Sequence, residues 1–424
     1  MMLPYKFTKL PSGLRVILAP MKQTQAVTVL VLVAAGSKYE QKRINGISHF
    51  LEHLFFKGTR HRPTTEAVAA VLDGVGAEHN AFTSKEYTGY WVKASAQHTD
   101  LALDIVSDML TSPLFEGKEI EKERRVIFEE LNLYFDTPTR FVEDLFEETV
   151  WGDQPAGWYV GGTKESVSHI TRKDILAYFK KYYGTLGTVV CVAGNIDPKH
   201  TTREISRRFS TLPKRESSVK PPVYEDQTKP KVTLSFKPTD QTHIAFGARA
   251  FNHRDPRRFA LLVLATILGG NMSSRLFLNV RDHLGLAYYI GTSPSLDTDS
   301  GYIMSHAGIK NSEVLRALEA IRREYDLIAK KPVNHKELLK AKDYLVGRFL
   351  LGLEETDEVA SYLATQELLK NVIEKPEHYI EKIREVSSSD VISVAQDVFK
   401  PSRFNLALIG PHKNKDGIMR ILSR

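Results

Sequence analysis

Apolar residues cluster in short runs from the N-terminus onward. Lys6-Phe7-Thr8-Lys9-Leu10 and Leu14-Arg15-Val16-Ile17-Leu18 flank Pro11-Ser12-Gly13, which predicts a hairpin of two strands around a tight turn. Val189-Val190-Cys191-Val192-Ala193 is apolar throughout and ends at Gly194, the pattern of a buried strand. Elsewhere the period is helical. In Glu121-Lys122-Glu123-Arg124-Arg125-Val126-Ile127-Phe128-Glu129-Glu130-Leu131, the residues Val126, Ile127 and Leu131 mark a buried side. Gly46-Ile47-Ser48 and Leu54-Phe55-Phe56-Lys57-Gly58-Thr59 enclose a segment with apolar residues on several sides and a glycine stop. That predicts a buried helix, whose polar residues then need partners.

The pattern repeats. Ile170-Thr171-Arg172-Lys173-Asp174-Ile175 leads through Tyr182-Tyr183 to the strand ending at Gly194, and Val386-Ser387-Ser388-Ser389-Asp390-Val391 leads through Phe399 to Leu406-Ala407-Leu408-Ile409-Gly410. The spacing is constant, since Asp174 to Asp390 and Gly194 to Gly410 are both 216 residues. Each copy opens with a hydroxyl N-cap and an Asp three residues on, a variant of the capping box. Glu119-Ile120-Glu121-Lys122 and Glu337-Leu338-Leu339-Lys340 form a second pair, each before a long helical pattern. The stretch from Leu212-Pro213 to Lys229-Pro230 is rich in proline and polar residues and reads as a linker. The expected fold class is α+β, with two similar domains of about 210 residues joined by a linker. The boundaries are residues 1–212, 213–230 and 231–424.

Composition narrows this little. A content of 42% hydrophobic and 26% charged residues is ordinary for a globular chain, and no apolar run approaches the ~20 residues that span a membrane. The N-terminus shows no signal-peptide core. One cysteine, Cys191, rules out an intramolecular disulfide and fits a reducing compartment; its apolar setting reads as core packing. The net charge of +7 is scattered among acids with no basic-aromatic recognition motif. It reads as solvated surface, not as a nucleic-acid footprint.

The chemistry lies in His49-Phe50-Leu51-Glu52-His53. On a helix the two imidazoles, four residues apart, project from one face and can share a zinc ion. Glu52 can reach a water on that ion and take its proton during attack on a peptide carbonyl. A half-buried helix with hydrogen-bonded histidines is the plain alternative. A catalytic zinc needs a third protein ligand. Glu123 and Glu130 are seven apart and share a helix face. Glu130 is therefore a candidate ligand and Glu123 a candidate for orienting a histidine. Acids on such a helix more often face solvent. The second half contains no H-x-x-E-H.

These residues resemble the inverzincin family of pitrilysin, insulin-degrading enzyme and mitochondrial processing peptidase, and within it the short bacterial and processing-peptidase branch. The family pairs H-x-x-E-H with a later E-R-x-V-x-x-x-E helix, and here 76 residues separate His53 from Glu130. The resemblance makes Glu130, and not Glu129, the third ligand. Gly76-Ala77-Glu78-His79-Asn80-Ala81-Phe82-Thr83 is similar to the family's G-A-x-x-N-A-x-T strand, and Gly152-Asp153-Gln154-Pro155-Ala156-Gly157 with Gly161-Gly162-Thr163 to its proline-glycine turn. An exposed edge there would bind substrate as an added strand, with Asn80, Ala81 and Phe82 as candidates. Arg281 and Tyr288 match an arginine and tyrosine seven apart in the family, donors suited to a developing oxyanion. A surface ion pair for Arg281 and a core position for Tyr288 are the alternatives.

The resemblance implies a zinc endopeptidase acting on peptides or unfolded segments inside a clamshell-like dimer, with no nucleic-acid or membrane partner. One chain carries both the zinc motif and the Arg/Tyr pair, which favours a homodimer. The catalytic half of a heterodimer with a related subunit, and a non-catalytic structural subunit of the same fold, are the other readings. The bacterial cytoplasm is the expected location.

Overall fold

The structure is a computed structural model in which residues 3–215 and 219–424 are described. Of the expected linker, Glu216, Ser217 and Ser218 lie outside the described residues, as do Met1 and Met2. The fold is α+β, and two compact units are distinguished. Unit 1 comprises Met1–Leu131, Tyr159–Pro221 and Leu350–Glu377; unit 2 comprises Asn132–Trp158, Pro222–Phe349 and His378–Arg424.

Unit 1 is built on six strands: β1 (Lys6–Lys9), β2 (Arg15–Pro20), β3 (Ala26–Val33), β4 (Glu78–Thr83), β5 (Thr88–Ser95) and β6 (Thr188–Gly194). Their order is β1-β2-β6-β3-β5-β4, so β4 is an outer strand. The hairpin expected at the N-terminus is present, with Lys6 opposite Leu18 and Lys9 opposite Arg15. β6 is buried along its whole length, which requires cover on both sheet faces. Helices α1 (Ile47–Phe55), α2 (Thr65–Asp73), α3 (Thr99–Thr111) and α4 (Gly117–Phe135) follow in the first part of the chain. α3 packs on β5 and β3, and the distant helix Thr356–Lys370 packs on β3 and β6. That helix is pinned by a buried Thr28–Thr356 hydroxyl pair at 2.8 Å and by Arg15, whose guanidinium donates to the Glu367 carbonyl at 3.0 Å. Cys191 is buried in β6, and burial pushes its thiol well above the usual range.

Unit 2 repeats the sheet with β7 (Lys231–Phe236), β8 (Gln241–Arg249), β9 (Ala287–Leu296), β10 (Gly301–Lys310) and β11 (Phe404–Gly410) in the order β7-β11-β8-β10-β9. Helix α5 (Pro138–Trp151) lies on β11 and β8. Val142, Leu145, Phe146 and Val150 pack there against Ala245, Met304, Ala407 and Ile409.

The duplication is visible in the register. Arg15 pairs with Val189 in parallel, and Lys231 pairs with Asn405 in parallel, each partner moved by 216 residues (15 to 231, 189 to 405). Thr171 and Ser387 both form complete capping boxes with an Asp at the third helical position. One correction concerns the contiguous halves expected from the sequence. The expected linker contains the unit boundary at Pro221, but each unit also borrows a segment from the other half: residues 132–158 belong to unit 2 and 350–377 to unit 1. The reason is cover. A sheet with fully buried central strands needs a helix on each face, and the second layer comes from the distant segment. Among the described residues, no helix is long and apolar enough to cross a membrane.

Candidate metal centre

α1 is preceded by its N-cap Gly46, which has a positive φ of 94°. It buries Ile47, Phe50, Leu51, Leu54 and Phe55. These anchors leave His49 and His53 on the remaining face, with their Nε2 atoms 3.4 Å apart. α4 supplies Glu130, whose carboxylate oxygens lie 3.7 Å from His49 Nε2 and 3.2 Å from His53 Nε2. Among the described residues these three alone form a group of possible metal donors, with all ligand atoms within 4.8 Å of one another. A tetrahedral zinc with bonds of about 2.0–2.2 Å holds its ligand atoms roughly 3.3–3.6 Å apart. The His49–His53 separation of 3.4 Å fits that spacing and Glu130 lies close to it, and two imidazoles plus one carboxylate are a donor set of catalytic zinc.

Glu123 sits two turns before Glu130 and is buried, with 1% of its surface exposed. Its Oε2 is 3.3 Å from His53 Nδ1, and its Oε1 is 2.8 Å from Lys57 Nζ. It therefore fixes the face of the imidazole that turns away from the cluster. Lys57 was not singled out from the sequence; it lies two residues beyond the end of α1, where helical spacing does not place it.

Electrostatics separate the two histidines. Burial, reinforced by the neighbouring His53, pushes His49 down to about 4 against a weaker pull from Glu130. It is neutral at physiological pH, as a ligand must be. Burial also pushes His53 down, but Glu123 and Glu130 outweigh it and raise it to about 9. Hydrogen bonding from His53 in turn holds Glu130 below the ordinary carboxylate range. The proton on His53 occupies a place that a cation can take, so metal binding releases it. His49 Nδ1 is buried with no hydrogen-bond partner among the described residues.

Glu52 points towards the outer strand β4. The Thr83 hydroxyl, at the end of β4, donates to Glu52 Oε2 at 2.6 Å. Burial raises the Glu52 carboxyl above its usual value, while Thr83 and His53 hold it down. Thr83 stands in the strand motif noted in the sequence, yet nothing local to that strand shows that it reaches Glu52. On β4, Asn80 is exposed, Phe82 is half-buried against Tyr87 and Ala81 is buried. Among the described residues β4 pairs with β5 on one side only.

Arg281 and Tyr288 belong to unit 2. Arg281 lies in the helical segment Phe277–His283 with its guanidinium 4.6 Å from the Phe277 ring. It makes no ion pair among the described residues. Tyr288 is on the outer strand β9 and is 73% exposed, so it is not a core residue.

Comparisons place these features among known proteins. Residues 15–164 match the family model for insulinase, peptidase family M16, and residues 169–345 match that for the peptidase M16 inactive domain. An uncharacterized zinc protease of Streptomyces coelicolor is 34% identical over 418 residues, covering 96% of this chain and 90% of that protein. Another from Bacillus subtilis is 32% identical over 406 residues, covering 95% and 97%. The crystal structure of a protease from Helicobacter pylori superposes with a TM-score of 0.90 at 25% identity, covering 97% of this chain and 100% of that one. A Pseudomonas fluorescens structure described as a peptidase M16 inactive domain gives 0.89 at 17% identity over 97% and 99% of the chains, and supports the fold alone.

Proposed function

This chain belongs to peptidase family M16, the insulinase family, and from that premise we propose a zinc endopeptidase whose metal is held by His49, His53 and Glu130 and whose general base is Glu52. That it is a zinc metallopeptidase follows from its relatives, uncharacterized zinc proteases that it matches over nearly their whole length. The residue roles are our reading. The observation that carries it is the convergence of one ligand atom from each of these three residues within 4.8 Å of one another, the two imidazole Nε2 atoms 3.4 Å apart.

His49, His53 and Glu130 would hold the zinc, which would supply Lewis acidity towards a carbonyl and a water. Glu52 takes the proton from the attacking water and hands it to the leaving amine. Thr83 holds one oxygen of Glu52, which aims the other at the reacting centre. Glu123 orients His53, and Lys57 balances the Glu123 charge. The free side of β4 around Asn80, Ala81 and Phe82 takes the substrate backbone as an added strand, a mode that tolerates many side chains. Arg281, which makes no ion pair among the described residues, and the exposed Tyr288 are donors for the developing oxyanion. We further propose a homodimer enclosing a chamber that admits peptides and unfolded segments, with the Arg281/Tyr288 pair supplied by the opposite subunit, and a location in the bacterial cytoplasm.

The test is metal content and hydrolysis of an internally quenched peptide library by the purified chain. Zinc near one per chain is expected, with activity abolished by a chelator and by E52Q, the latter without loss of metal. Zinc without activity points to a missing partner subunit, which solution mass identifies; no zinc and no activity overturns the reading. Mixing E52Q with Arg281→Ala chains is expected to restore activity, and no gain over either variant alone in mixed dimers rejects the shared site.

A further inference from the structure

The helix that carries both histidines lacks a cap of its own. Its N-cap is Gly46, which has no side chain to accept the backbone N–H groups left free at a helix start. A Cβ at Gly46 would stand 2.5 Å from the Gly161 carbonyl oxygen, so the usual Ser, Thr or Asp cannot be placed there. The missing acceptor comes from six residues upstream. Glu40 is buried, with 4% of its surface exposed. Its Oε2 accepts the Gly46 N–H at 2.7 Å and the Asn45 side-chain amide at 2.8 Å, and its Oε1 accepts the Ser48 N–H at 2.8 Å. All three partners donate, so the carboxylate has the acceptor-only chemistry that this place requires. Ser48 directly precedes His49, and its hydroxyl is held by Tyr178 at 2.7 Å.

We propose that Glu40 is a positioning residue of the metal site: its carboxylate caps α1 from outside and thereby sets the axial position and rotation at which His49 meets His53 and Glu130. The proposal rests on the ligand assignment made above. Glu40 touches neither metal nor substrate and acts only through the first turn of α1. A neutral amide in its place would turn an N–H towards groups that are themselves donors, and the first turn would have to move. His49, one residue beyond Ser48, moves with it.

The experiment is a zinc titration of the metal-free protein against a chromophoric chelator, with steady-state kinetics and the visible spectrum of the cobalt-loaded protein beside it. For E40Q, zinc affinity is expected to fall roughly 10-fold, the range seen when groups that orient metal ligands are changed. kcat should fall with it while KM holds within about twofold, and the cobalt bands should shift, because substrate contacts are untouched and ligand geometry is not. A folded E40Q with wild-type affinity, kcat and cobalt spectrum overturns the proposal. If E40Q does not fold, Asn45→Ala removes one donor from the same carboxylate and should give a smaller loss in the same direction; wild-type behaviour there overturns it equally. His53→Ala separates the two levels. If it binds zinc as tightly as wild type, the ligand assignment fails and the proposal falls with it. If only His53→Ala loses zinc, the ligand assignment stands and Glu40 has no positioning role.

Discussion

Glu40 shows what a single residue at such a site costs. Burial pushes its carboxyl from 4.5 up to about 7, while hydrogen bonds from Ser48, Gly46 and Asn45 draw it part of the way back. A group whose folded-state pKa is raised contributes its stability below the unfolded pKa and loses it as pH rises through the folded one. The shift is worth about 3 kcal/mol at most. Metal-free wild type should therefore lose stability relative to E40Q between pH ~4.5 and ~7.5. The difference in melting temperature, wild type minus E40Q, should fall across that window, and a constant difference would show that the carboxyl does not titrate there. The cost is consistent with a residue kept for geometry. Glu40 is also invisible in the sequence, because a lone glutamate six residues before a helix N-cap has no local signature. His49, Glu52 and His53 are legible because helix periodicity alone makes them neighbours.

At the scale of elements, the site is a meeting of α1, α4 and β4, each held by backbone as much as by side chains. The start of α1 packs its Gly46 against the Gly161 carbonyl, and Gly46 has φ of 94° while Gly76, before β4, has φ of 63° with nothing within 4 Å of its missing Cβ. The two predict different costs. Gly76→Ala pays only for the left-handed conformation, about 1–2 kcal/mol. Gly46→Ala adds a clash with rigid backbone, for about 2–4 kcal/mol in all. Urea denaturation of the two metal-free variants should rank them so, with zinc affinity reduced only by the change at Gly46. Elements themselves were largely readable. The β1–β2 hairpin, the capping boxes at Thr171 and Ser387 and the α4 helix depend on residues a few positions apart. The edge position of β4 was anticipated only through the family resemblance, since a strand's own sequence does not state what pairs with it.

For the whole molecule, the exchange of segments matters most. Val359, Leu363 and Leu368 of the helix Thr356–Lys370 are buried in unit 1. At about 1.5–3 kcal/mol per large side chain they represent about 5–9 kcal/mol, comparable with the ~5–15 kcal/mol by which most domains are stable. A fragment of residues 1–221 contains the whole proposed metal site and lacks that helix. It should fail to unfold cooperatively in a thermal melt followed by circular dichroism and should not hold zinc. A peptide covering residues 350–377, added in trans, should recover part of both. A cooperative, zinc-binding fragment without the peptide would mean that the borrowed helix is dispensable.

By itself the sequence determined the features that act over short separations: the i, i+4 imidazoles with their glutamate, the two acids two turns apart on α4, the capped helices and the 216-residue repeat that announces two like sheets. Tertiary structure alone decided that Thr83 grips Glu52, that Lys57 and His53 divide the Glu123 carboxylate, that Glu40 caps α1, and that each sheet takes a covering helix from the other half of the chain. The division has a physical cause. Periodicity and capping are set by bonded geometry within a turn or two, whereas these other contacts join residues whose meeting depends on how buried strands and unsatisfied N–H groups find cover anywhere along the chain.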